Sequence, residues 1–181
     1  PIWAIDIDGL EAWKVEREWS YTDISTFGEY ATAKIQEYKA NKVKDDCANF
    51  AIRLLVDYAY ENKLPIEFIN LKGQKFDMSS SKYKSYKQYL NAVREGIDSK
   101  DLIFNTYSVS QSETQPGDME ILQYSIHDGK IVNFMHVVIF ENIDPTNINK
   151  SDVVWGNLPP FELITALINW PRFSPINPDK E

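Results

Sequence analysis

The sequence predicts an α+β fold, with N-terminal helices packed on a C-terminal antiparallel sheet. Apolar residues recur at helical spacing before residue 62, whereas beyond residue 100 they fall in short β-rich runs. Turn signals at Pro116-Gly117, Asp128-Gly129 and Asp144-Pro145 separate those runs. With 181 residues, 43% of them hydrophobic and 13% aromatic, the chain is long enough for one domain with a real core.

Residues 1–20 read as a lead-in that holds Trp3, Trp13 and Trp19. The chain opens on Pro1 without a Met, as a fragment or processed product would. The domain proper is assigned to residues 21–170, and an irregular, Pro-rich tail to 171–181. Thr22 or Asp23 is the candidate cap of a first helix reaching about residue 42, with Phe27, Tyr30, Ala31, Ile35 and Tyr38 along one side. The clearest helix covers 46–62, where Cys47, Phe50, Ala51, Leu54, Leu55 and Tyr58 form one apolar stripe before Pro65. A short strand is expected over 66–71, then a polar helix from 79–81 to about 96. Strands are expected over 101–109, 118–124, 131–140 and 152–155, with Asp128-Gly129 as a hairpin turn. A last short helix is expected over 161–170.

Composition excludes several function classes. A net charge of −8 argues against general affinity for nucleic-acid phosphates or anionic membrane surfaces. No run approaches the ~18 apolar residues of a membrane span, and no secretory leader pattern is present. A single cysteine rules out an internal disulfide framework and leaves the thiol free for chemistry. Two histidines and one cysteine without close spacing make no zinc signature, so neither a metal nor an organic cofactor is expected.

Cys47 sits in Asp45-Asp46-Cys47-Ala48-Asn49-Phe50, at the predicted start of the second helix. Thiolates are favoured at helix N-termini and beside histidine, and the free N–H groups there suit a developing oxyanion. Asp45 and Asp46, the cap candidates, oppose a thiolate by their charge. His136 lies in Asn133-Phe134-Met135-His136-Val137-Val138-Ile139-Phe140, a strand whose other members are almost all apolar, and it is the candidate base. His127, beside the Asp128-Gly129 turn, is the weaker alternative. A third residue is expected to orient the imidazole. Folding the following hairpin around Asn147 sets His136 opposite Leu158 and Val137 opposite Asn157. Asn157 is therefore the first choice, Asp152 the second, and Asn142, on the same strand face as His136, the third.

With these residues in order, the chain resembles the NlpC-like and CHAP-like cell-wall peptidases of the papain fold. The resemblance rests on Asp46-Cys47-Ala48-Asn49-Phe50, Gln115-Pro116-Gly117-Asp118-Met119 and His136-Val137-Val138-Ile139, and covers residues 45–157. It departs from the family where Ala48-Asn49 replaces a small Ser-Gly pair and where Met135, rather than a small residue, precedes the histidine. A second resemblance lies in Asp6-Ile7-Asp8-Gly9-Leu10-Glu11, which is similar to the segment ending the core of Rhs/YD-repeat polymorphic toxins. Together these imply a papain-like cysteine amidase or endopeptidase that cuts stem peptides of peptidoglycan. They further imply the toxin domain of a secreted antibacterial effector, delivered by a contact-dependent or type VI system to the periplasm of a target cell, with an immunity protein as partner. An alternative keeps the residues but cleaves, deamidates or cross-links a cytosolic protein. Another alternative is a non-catalytic module, in which Cys47 and His136 are packing and the Trp-rich front with Tyr83, Tyr86 and Tyr89 binds carbohydrate or protein.

Overall fold

In the computed structural model, residues 11–124, 134–156, 163–166 and 172–174 are described. Three helices come first: α1 (Thr22–Ala40), α2 (Cys47–Glu61) and α3 (Tyr86–Gly96). A two-stranded ribbon, β1 (Glu67–Ile69) and β2 (Lys75–Asp77), lies between α2 and α3 in sequence. The sheet follows: β3 (Tyr107–Ser108), β4 (Met119–Tyr124), β5 (Phe134–Asn142), β6 (Asp152–Gly156), β7 (Leu163–Ala166) and β8 (Arg172–Ser174). Its order is β3-β8-β4-β5-β6-β7, with every neighbouring pair antiparallel. The expected α+β architecture is present. No described helix is long and apolar enough to cross a membrane.

The stripe read along α2 understates its burial. Ile52, Val56 and Ala59, off that stripe, are buried too, because α2 packs on β5 and β6 on one side and on α1 and α3 on others. Phe50, fully buried there, contributes about 2–3 kcal/mol by its removal from water. Asp57 also goes inside, with the hydroxyls of Tyr38 and Tyr86 donating to its two oxygens. In α1, Phe27, Ala31, Ile35 and Tyr38 are buried as the spacing predicts. Asp23 is not the cap of α1. It lies in the first turn and accepts from the Ser20 N–H at 2.7 Å, reaching back one turn.

The lead-in does not stand apart from residue 11 onward. Ala12 and Trp13 are buried, the Trp13 indole donates to the Leu64 carbonyl at 3.0 Å, and the Trp19 indole to Pro65 at 2.6 Å. The Asp6–Glu11 resemblance falls, except for Glu11, outside the described residues.

Four further expectations change. The third helix begins at Tyr86 on a Ser85 cap, not at 79–81. The Asp77 carboxylate accepts from Ser79 N–H and hydroxyl, and such local bonds compete with helix. Residues Asp101–Asn105 form a 3-10 helix rather than a strand, since Asp98 and Asp101 cap one another's backbone N–H groups. The apolar run over 161–170 gives a strand, β7, paired along β6 from Val153 with Ala166 to Gly156 with Leu163. The tail is not wholly irregular, because β8 inserts between β3 and β4.

The Pro-Gly-Asp motif acts as the hinge into β4. Gly117 has φ +89°, and a Cβ there would come within 2.7 Å of the Phe27 ring, so α1 packs directly on this turn. Its N–H donates to the Phe140 carbonyl at 2.8 Å, tying the turn to β5.

Candidate active site

Cys47 is the first residue of α2. Asp46 caps it, with its carboxylate accepting from the Asn49 N–H and the Asn49 side-chain amide, both at 2.7 Å. The cap carboxylate is thus engaged at the third helical position. Cys47 and Ala48, whose N–H groups have no intrahelical carbonyl to bind, line a cavity at this end of the helix.

Asp45 behaves differently from its neighbour. Its side chain is fully buried and accepts from Arg53 Nε at 2.5 Å and from the Arg94 guanidinium. The opposition expected from Asp45 is therefore offset by two guanidiniums, whereas the Asp46 carboxylate is held by Asn49. These ion pairs also clamp α3, which carries Arg94, against the start of α2. The end of β6 closes on the same point. A Cβ at Gly156 would overlap the carbonyl oxygens of Asp45 and Asp46, so only glycine lets the strand lie against the backbone before Cys47.

A cavity of about 840 Å³ opens at this junction, lined by Cys47 and Asn49 from α2, His136 from β5, and Trp155 and Gly156 from β6. Its remaining wall is the turn after α3, including Asp98, Ser99 and Lys100, together with Asn70, Leu71 and Lys72 after β1. Cys47 and His136, far apart in sequence, thus share one cavity. The Ser99 hydroxyl lies 3.6 Å from the Cys47 sulfur. His136 is partly buried, its ring edge-on to Trp155 with centroids 5.4 Å apart. Burial draws its pKa below the ordinary 6.5, which keeps the imidazole neutral near pH 7. A neutral imidazole in the same cavity as a thiol is chemically equipped to accept a proton.

The candidates for the orienting residue divide. Asn142 and Asp152 face each other across the β5–β6 hairpin, exposed, with the Asn142 amide 3.4 Å from the Asp152 carboxylate. Asn142 lies six residues along β5 from His136, about 20 Å away at strand rise. Neither reaches the imidazole, which removes the second and third choices. The predicted register holds where Asn142 pairs with Asp152, but a bulge before Asn142 shifts it by one residue, so that Phe140 pairs with Val153 and Ile139 with Val154. Asn157 and His127 lie outside the described residues, as does the side chain of Met135.

Arg94, Ser99, Trp155 and Gly156 were not expected at the site. A glycine ending an apolar strand signals a close backbone approach, and that signal was available for Gly156. Arg94 and Ser99 belong to a polar helix and its exit turn, and their local sequence carries no mark of the thiol. Among the described residues, no group of three or more His, Cys, Asp or Glu is placed to hold a metal ion. Comparison with family models, with curated proteins and with solved structures finds no match for the chain.

Proposed function

We propose that this protein is a cysteine hydrolase of the papain type that cleaves an amide bond. The observation that carries the reading is the shared cavity, to which α2 brings a half-buried thiol at its first turn and β5 brings a histidine. His136 takes the Cys47 proton as the sulfur attacks the substrate carbonyl, forming a C–S bond and a tetrahedral oxyanion. The N–H groups of Cys47 and Ala48 are the nearest candidates to receive that oxyanion. As it collapses, the C–N bond breaks and His136 returns its proton to the leaving amine. Water, giving a proton to His136, then adds to the thioester. Its C–S bond breaks, the acid departs, and the proton restores the thiol. Asn157, the residue after Gly156, is proposed to orient the imidazole, because Gly156 already lines the cavity.

The substrate proposed is the stem peptide of peptidoglycan, with the chain acting as the toxin domain of an antibacterial effector in the periplasm of a target cell and countered by an immunity protein. This rests on the order of the Cys, Pro-Gly-Asp and His motifs and on the toxin-like lead-in. Purified protein and its Cys47→Ala variant are incubated with sacculi, and the released muropeptides are analysed by mass spectrometry. A new amine and carboxyl at one stem-peptide bond, absent with the variant, is the expected result. Untouched sacculi would overturn the wall substrate. In that case, growth inhibition confined to delivery into the cytosol would point to a protein substrate.

A further inference from the structure

The turn after α3 has no part in the sequence motifs, yet it sets a hydroxyl on the proposed nucleophile. Ser99 Oγ lies 3.6 Å from Cys47 Sγ. The turn that carries it is held from several sides. Asp98 accepts from the N–H groups of Lys100 at 2.7 Å and Asp101 at 3.3 Å, while the buried Asp101 carboxylate accepts in return from the Asp98 N–H at 2.8 Å. The other Asp101 oxygen accepts from Leu71 N–H at 2.7 Å, which fixes the turn to the segment after β1. Ile97, just before it, is buried, and Arg94, one helical turn earlier, is clamped to Asp45 beside Cys47. Ser99 therefore stands on a braced frame attached to the same point as α2.

We infer that Ser99 is a positioning residue for Cys47, donating its hydroxyl hydrogen to the sulfur once that sulfur is ionised. The chemistry gives the contact a direction. A thiol is a weak donor and a weak acceptor, whereas a hydrogen bond to an anion is about twice as strong as one between neutral groups. The hydroxyl thus favours the thiolate over the thiol and fixes where the sulfur sits. No proton leaves the serine in this role, and no bond of substrate forms with it. The inference rests on Cys47 being the nucleophile, and it is independent of which amide is cut.

Alkylation of Cys47 by iodoacetamide, followed across pH in the native protein, tests this without any substrate. In Ser99→Ala the rate near neutral pH is expected to fall about tenfold, with the rate–pH curve displaced to the alkaline side. Ser99→Thr, which keeps the hydroxyl, is expected to restore the wild-type curve. Thermal midpoints of both variants are expected to match the wild type, because the turn is held by Asp98 and Asp101. An unmoved curve in Ser99→Ala, or an equal loss in Ser99→Thr, would overturn the assignment. A displaced curve with uncut sacculi would leave Ser99 standing and remove the wall substrate; the reverse pairing would do the opposite.

Discussion

Burial sets the working range of His136. Its pKa lies below 6.5 because the ring has left water, so the neutral, proton-accepting form persists to lower pH than in a free histidine. The acid limb of a pH profile of kcat/KM is therefore expected below pH 6.5, and Trp155→Ala, which opens the ring to solvent, is expected to move that limb upward. A limb at or above 6.5 in the wild type would mean that His136 is not the base. Asp45 offers a second test at this scale. Both its oxygens hold guanidiniums, and its side chain has no exposure, so Asp45→Asn leaves two cations at the start of α2 without their anion. Removing one member of a buried ion pair costs about 3–5 kcal/mol. Arg53 and Arg94 keep some contact with solvent, which places the expected loss near the lower end, read as a reduced urea midpoint. From sequence, Asp45 and Asp46 looked like equivalent cap candidates. What separates them is Arg94, on a different helix, and no local pattern reports a partner so distant. Cys47 and His136 were legible because each carries its signal in its own segment, a cap followed by an apolar stripe and a lone imidazole in an apolar run.

Two helices end in the same way, with a lysine where glycine is usual. After α1, Lys42 takes φ +53°, its N–H donates to Lys39 O, and the Val43 N–H donates to Tyr38 O. After α2, Lys63 takes φ +57°, with its N–H on Tyr60 O and the Leu64 N–H on Ala59 O. Both are left-handed caps that close the last open carbonyls, and a side chain there is strained by about 1–2 kcal/mol. Lys42→Gly is expected to stabilise the protein by about 1 kcal/mol, part of the relief being lost to the freer unfolded chain. Lys63→Gly is expected to be nearly neutral, because the Lys63 ammonium sits 4.6 Å from the Tyr60 ring centroid and that contact is worth about 0.5–1 kcal/mol. Equal effects from the two would contradict the account; urea midpoints decide. Element type was readable for α1 and α2, whose apolar stripes are long, and for β4, β5 and β6, whose β-rich runs lie between turn signals. It was not readable at 161–170, because a short apolar run fits strand or helix equally. Here the open edge of β6 decides the matter by pairing with β7. The bulge before Asn142 was likewise invisible, since a one-residue slip leaves composition unchanged.

Across the whole molecule, the segment that looked like a separate lead-in is bound to the helices through one carboxylate. Asp23, in the first turn of α1, accepts both guanidinium nitrogens of Arg17 at 2.8 and 2.7 Å, the N–H and hydroxyl of Ser20, and the Tyr58 hydroxyl of α2. The Arg17 guanidinium, aided by the Ser20 and Tyr58 bonds, holds its pKa well below the ordinary 3.8. Asp57 runs the other way: burial raises its pKa, and the bonds from Tyr38 and Tyr86 only partly offset this. The signs differ accordingly. A carboxyl whose folded pKa is depressed stabilises the fold above its unfolded pKa, and that contribution is lost as pH falls through the folded value. A carboxyl whose folded pKa is raised binds its proton more readily in the fold, so its contribution grows on acidification. Wild-type stability is thus expected to fall below about pH 4 through Asp23, whereas the Asp57 contribution grows on acidification only above that range, before its unfolded pKa is reached. Arg17→Gln removes the main cause of the Asp23 shift. Arg17 is 41% exposed and Asp23 keeps its Ser20 and Tyr58 donors, so the loss at pH 7 is expected near 1–2 kcal/mol rather than the cost of an orphaned buried charge. Because the variant has less acid-labile stability to lose, its urea midpoint should converge on the wild type as pH is lowered through 4 toward 2. A gap that stays constant over that range would mean that Arg17 acts by packing alone, and that the lead-in is docked by Trp13 and Trp19 without help from the charge of Asp23.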